Sequence, residues 1–361
     1  MSRSPAIRAA LWLRRIALGA AVLAFGVVVL GAYVRLTAAG LGCPDWPGCY
    51  GHLSPLGVQH DLPSGAALSG TAPDLGKAWR EMIHRYAAST LGILIVLLAA
   101  LALAARKESN VSGRFALALL AIVILQGVLG MLTVTWGLRP IIVTLHLLFG
   151  LTTLSLLWWL WLSLRNGSAQ RTLWRSRLEH NPAGGRRAAL EVLATLALAL
   201  VGLQIALGGW TSSNYAAIAC PDFPQCQASW WPSMDFRDGF VLWRPEVTGY
   251  ASGVLGVAAR TAVHFTHRLG ALVTTCVLVA TALAVLTAHP RLTGIPRKAA
   301  VAVLLALGLQ LTIGIFMVLR GFPLWLATAH NAGAALTLLA VLALLFGLRR
   351  QGSVSAAHAA S

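Results

Sequence analysis

Four histidines stand out in a chain otherwise suited to lipid: His84, His146, His267 and His330. Each lies in or beside a long apolar run, where an ionisable side chain is costly and marks function. They form two pairs, 62 and 63 residues apart, on segments able to face each other across a helix bundle. Two opposed imidazoles suit a haem iron, which accepts axial nitrogen ligands from both faces. Zinc or copper would want three or four clustered ligands, and no Cys or carboxylate supplies the rest around the second pair. A histidine hydrogen-bonded between helices is the plainer reading for any one of them. Four in a repeated arrangement argue for chemistry.

Other residues gather around these four. Arg85 and Arg268 directly follow His84 and His267, so each is a candidate partner for a haem propionate or a side chain snorkelling to the headgroups. Glu81 precedes His84 by three residues, on the same helix face. The matching place before His267 holds His264. A carboxylate beside a haem edge can move protons or stabilise positive charge; the alternative is an ion pair with Arg80 or Arg85. Cys43 and Cys49, and again Cys220 and Cys226, bracket five residues with two prolines. Outside the membrane such a pair is read as a structural disulfide, with redox activity as the second reading. A Gln-x-x-x-Gly motif occurs at Gln126–Gly130, Gln204–Gly208 and Gln310–Gly314, and its glycine points to close helix packing. Cys276 is read as core. His52, His60, His180, His289 and His358 are read as solvated.

These residues need a membrane scaffold to position them. Of 361 residues, 57% are apolar and 11% charged, where a soluble protein carries about 25% charged. Mean hydropathy is +0.74. Eight uncharged runs suffice for helices of about 20 residues across a bilayer: Ile16–Val34, Tyr86–Ala105, Phe115–Leu138, Pro140–Leu164, Val192–Trp210, Leu269–Ala288, Ala299–Leu319 and Gly321–Leu348. No convincing cleavage site follows the first run, so it is read as a retained span rather than a signal peptide. The net charge of +17 is scattered between the runs and reads as a topology signal, not a nucleic-acid footprint. One set of alternate loops holds 18 of the 28 basic residues against three acids, and the other holds ten against eight. Both termini are therefore expected in the cytoplasm.

The chain also repeats. Cys43-Pro-Asp-Trp-Pro-Gly-Cys49 returns as Cys220-Pro-Asp-Phe-Pro-Gln-Cys226, and His84-Arg85 returns as His267-Arg268, at offsets of 177 and 183 residues. The expected fold is thus all-α: eight transmembrane helices in two tandem, parallel-repeated four-helix bundles. Residues 1–164 and 188–361 form the two units, joined by a basic cytoplasmic linker at 165–187. Transporters often use inverted repeats, so a parallel one weighs against transport.

On these residues the chain resembles the haem A synthase family. The most specific stretch runs Val34-Arg-Leu-Thr-Ala-Ala-Gly-Leu-Gly-Cys-Pro-Asp-Trp-Pro-Gly-Cys-Tyr-Gly51, followed by Glu81-Met-Ile-His-Arg85. The repeated Gln-x-x-x-Gly and the histidines opening the fourth and eighth spans also match. The resemblance implies a resident haem b on His267 and His330, substrate haem O near His84 and His146, a catalytic Glu81, and a disulfide in each outer loop. It implies oxidation of the C8 methyl of haem O to the formyl of haem A in the bacterial inner membrane, for terminal oxidases. Implied partners are haem O, membrane lipid, haem O synthase, oxidase assembly proteins and an electron acceptor or donor, with no nucleic acid. Two rival readings from the residues alone are a bis-His cytochrome b exchanging electrons with quinone, and a haem-delivery assembly factor. The second would not need Glu81.

Overall fold

The structure, a computed structural model, describes residues 5–57, 73–104, 112–165, 185–247, 249–251, 253–288 and 294–359. Residues 166–184 of the basic linker, and His60, His180 and His289, lie outside the described residues. Eight long helices carry the fold: α1 (Pro5–Leu36), α2 (Leu75–Ala104), α3 (Gly113–Thr135), α4 (Pro140–Arg165), α5 (Gly185–Ser213), α6 (Val257–Thr287), α7 (Ile295–Leu319) and α8 (Leu324–Ala359). Among the described residues, these eight are long and apolar enough to cross a membrane. A helix satisfies its backbone groups within one segment, the condition for crossing hydrocarbon.

Local sequence sets the helix ends. Proline opens α4 and sits in the first turn of α7, where its missing N–H costs nothing. The α3–α4 and α7–α8 turns match: Gly137 and Leu138 (φ 61° and 60°) in one, Gly321 and Phe322 (φ 70° and 61°) in the other. The Leu138 N–H donates to the Thr133 carbonyl and that of Phe322 to Met317, both at 2.8 Å. These bonds use carbonyls that the ending helix leaves open.

Helices α1–α4 pack among themselves, as do α5–α8, and the two groups meet along α1, α4, α5 and α8. Ala17, Ala20, Ala21 and Ala24 of α1 are buried in the principal core cluster, beside Leu154 and Leu157 of α4 and Val341 of α8. Small side chains let helices approach closely, the main source of adhesion where lipid removes the hydrophobic drive.

Helices α2 and α6 begin about three turns before the apolar runs at Tyr86 and Leu269. These extensions carry Glu81, His84 and Arg85, and His264, His267 and Arg268.

Candidate functional site

Each of the four histidines lies against a glycine of a neighbouring helix. A Cβ on Gly31 (α1) would meet the His84 ring at 2.9 Å, and one on Gly130 (α3) would meet His146 at 3.4 Å. Gly208 (α5) and Gly314 (α7) stand likewise against His267 and His330, at 3.2 and 2.9 Å. The motif glycines, read as packing residues, pack on the imidazoles. The cradle for His84 was missed in the sequence because α1 has Val27, not Gln, four residues before Gly31.

His84 and His146 line a cavity of about 470 Å³. Glu81, Arg85 and Trp46 line it as well. Gly209 and Ser212 of α5 and Asn331 of α8 complete its wall. Arg35 also lines it, with its guanidinium 4.1 Å from the centre of the Tyr215 ring and 3.0 Å from the Ser212 carbonyl.

Next to each pair a disulfide loop is held down by the arginine that follows the histidine. Cys43–Cys49 and Cys220–Cys226 are bonded, with Cα atoms 4.7 and 4.6 Å apart. Arg85 donates from one nitrogen to the carbonyls of Asp45, Pro47 and Gly48, at 2.9, 3.2 and 2.5 Å. Its other terminal nitrogen meets Glu81 Oε1 at 2.6 Å. Glu81 is 4% exposed, and its Oε2 accepts the Cys43 N–H at 2.9 Å. The ion pair weighed as the alternative reading of Glu81 thus forms, with Arg85 rather than Arg80. Arg268 repeats the grip on the second loop, donating to the carbonyls of Gln225, Cys220 and Asp222 at 2.7, 3.0 and 2.8 Å. His264 stands where Glu81 does and accepts Arg268 Nε at 3.3 Å, so it belongs to the loop contact.

An aspartate braces each loop. Asp45 accepts from the N–H groups of Tyr50 and Gly51, and Asp222 from those of Gln227 and Ala228. Desolvation pushes the Asp222 carboxyl up, but the Ala228 and Gln227 N–H groups and the Arg268 charge outweigh it and hold the group below its ordinary range.

Two sequence readings change. Cys276 is exposed on α6 rather than core; in a bilayer, apolar character does not tell a lipid-facing side chain from a buried one. His52 is half-buried rather than solvated, because the chain turns back there and pairs its backbone with Cys49.

The histidine pairs fit a haem. Among the described residues Nδ1 of His84, His146 and His330 is buried without a hydrogen-bond partner, and the facing glycines leave room for the imidazole rings. Among the described residues no three His, Cys, Asp or Glu side chains cluster as ligands. A porphyrin brings its own equatorial nitrogens and asks the protein only for axial ones.

Eight apolar helices around paired histidines define a multi-pass membrane protein with its polar chemistry gathered at the loop-bearing ends of α2 and α6. The chain matches the COX15-CtaA family, described as cytochrome oxidase assembly protein, over residues 14–342. It is 38% identical to a haem A synthase of Shewanella oneidensis over 345 residues, which is 95% of this chain and 97% of the relative. Haem A synthases of Halalkalibacterium halodurans and Shouchella clausii are 27% and 26% identical, each over 58% of this chain and 62% of its own length. The chain belongs to the COX15-CtaA family of cytochrome oxidase assembly proteins.

Proposed function

We propose that this chain is a haem A synthase, oxidising the C8 methyl group of haem O to the formyl group of haem A for cytochrome oxidase assembly. The observation that carries the reading is the cavity holding His84 and His146, with the buried Glu81 carboxylate in its wall. The 38% identical relative of the same name supports it.

In this reading His84 and His146 bind substrate haem O, while Arg85 and Arg268, the propionate candidates of the sequence, hold the disulfide loops beside the two histidine pairs. Glu81, fixed by Arg85 and the Cys43 N–H, stands beside the substrate. Oxidising a methyl carbon releases protons and builds positive charge, and a fixed carboxylate assists both. His267 and His330 would hold a resident haem b. That group supplies one-electron redox chemistry when bound.

The scaffold is two tandem four-helix bundles in parallel repeat, α1–α4 and α5–α8. Both termini face the cytoplasm of a bacterial inner membrane. The matched turns and loops and the basic bias of alternate loops support this arrangement. Haem O synthase, oxidase assembly proteins and an electron partner are the expected associates.

Pigments extracted from oxidase-producing cells test the function. Deleting the gene should remove haem A and accumulate haem O, and the full-length chain should reverse both. Normal haem A in the deletion strain would reject the reading. Loss of haem A without haem O accumulation would point to haem delivery.

A further inference from the structure

The cavity of His84 and His146 continues past the histidines into the apolar depth of α2 and α3. Ser89, Gly92 and Val96 of α2 and Ile124 and Gly127 of α3 line it. Val96 lies more than three turns beyond His84, about 18 Å along the helix. None of the five carries a charge, and Ser89 alone is polar. Ser89, Val96, Ile124 and Gly127 are exposed as well, Val96 by 54% and Ile124 by 67%. A residue that faces both a cavity and the outside of a membrane span marks an opening to lipid. The two glycines keep that opening wide: a Cβ on Gly92 or Gly127 would meet no atom within 4 Å among the described residues.

The second unit fills the same place. Counted from His267 and Gln310, Leu272 stands for Ser89, Thr275 for Gly92, Val279 for Val96 and Leu311 for Gly127. Val279 and Leu311 are partly buried against the principal core cluster. Only at Ile124 is the order of sizes reversed, with Gly308 in its place, one turn deeper.

We propose that the opening between α2 and α3 takes the isoprenoid side chain of haem O, and that Gly92 and Gly127 set the specificity of this site for a tailed haem. This rests on the assignment of haem O to the His84–His146 site given above. Haem O carries one long isoprenoid chain where haem b has a vinyl group. Such a chain is best left in an apolar medium, because bringing it into water is unfavourable. The buried histidines, unpartnered at Nδ1 among the described residues, give the macrocycle its place at one end of the cavity. The uncharged opening gives the chain its exit at the other. The haem b proposed for the second unit has no such chain, and there Thr275 and Leu311 take the space of the two glycines.

The test uses purified full-length protein in lipid nanodiscs, titrated with haem O and with haem b and followed by absorbance. Gly92→Thr with Gly127→Leu, which copies the second unit, should weaken haem O binding by about 10–100-fold, the scale of overpacking an occupied space. Binding of tail-less haem b to the same site should hardly change. Unchanged haem O affinity overturns the proposal, and so does equal weakening of both haems, which would mean that the added side chains disturb the histidines. Should that protein fail to fold, Ile124→Trp, at a side chain already facing lipid, decides alone by the same two criteria. His84→Ala places the titration: haem O binding that survives it, or its absence from wild type, overturns the assignment of the substrate site and this proposal together. Binding that is lost in His84→Ala yet indifferent to the α2–α3 variants overturns this proposal only.

Discussion

The two loop contacts are built alike and differ in one side chain. Arg85 and Arg268 each grip three carbonyls of a disulfide loop. One turn before, the first arginine meets the carboxylate of Glu81 and the second meets the imidazole of His264. The second contact shows that a loop can be held without a carboxylate at the position of Glu81. A buried carboxylate carries a desolvation penalty, which its ion pair offsets only in good geometry. The fold therefore does not require Glu81 to be charged. What sets it apart is its place in the cavity wall, and that separates the site where chemistry is proposed from the site proposed to hold a cofactor.

The largest effects should come from the histidines. His267→Ala or His330→Ala should remove low-spin haem b from purified protein, since a bis-His site loses half its axial ligation. His84→Ala and His146→Ala should leave that spectrum in place. Absorbance of the four proteins checks the division, and low-spin haem surviving both second-pair changes would end it.

Glu81→Gln should lower haem A formation by about 10²-fold or more, the scale of a lost acid–base group, with the haem b spectrum intact. Glutamine can still accept the Cys43 N–H, and Arg85 keeps its three carbonyls. Glu81→His, which copies the second contact, should hold the loop and lose haem A equally. Near-normal haem A in either strain, measured on extracted pigments, would return Glu81 to loop fixing alone.

The disulfides should matter to stability alike and to chemistry unequally. Thiol labelling under denaturing, non-reducing conditions should mark Cys276 only. Cys43→Ser and Cys220→Ser should each cost roughly 2 kcal/mol by loop-closure entropy, seen as similar falls in Tm. Only Cys43→Ser should also depress haem A formation, because Glu81 hangs on the first loop. Equal depression by both would erase the contrast.

The smallest expected difference lies in the backbone. Ala228 holds φ +55° where the first loop has Gly51 at +80°. A left-handed conformation costs an L-residue about 1–2 kcal/mol, and glycine's extra unfolded-state freedom offsets about half of that. Ala228→Gly should therefore stabilise by up to ~1 kcal/mol. Gly51→Ala should destabilise by a like amount, since no atom lies within 4 Å of the added Cβ. Thermal unfolding of both variants reads the pair.

Much of this was legible in the sequence. Eight apolar runs correspond to eight helices, and cysteine spacing correctly paired the loops. Helix starts were less legible: Glu81 and Arg85 interrupt the apolar run ahead of Tyr86, yet α2 continues through them with the two side chains paired. The destinations of Arg85 and Arg268 were not legible, since a guanidinium satisfied by loop carbonyls looks the same in sequence as one facing a headgroup. The contacts of the motif glutamines with His146, His267 and His330 were hidden for a related reason. The motif appears on three helices, but the histidine that each glutamine meets lies 20 or 63 residues further on.

Asn331 follows His330 in the chain yet lines the cavity of His84 and His146, as do Gly209 and Ser212 of α5. The cavity thus borrows part of its wall from α8, which carries His330, and from α5, whose Gly208 packs on His267. A change at these positions alters the first cavity from helices that also pack around the second histidine pair. A chain holding only α1–α4 would therefore lack Gly209, Ser212 and Asn331 from the wall of its cavity and leave that side open.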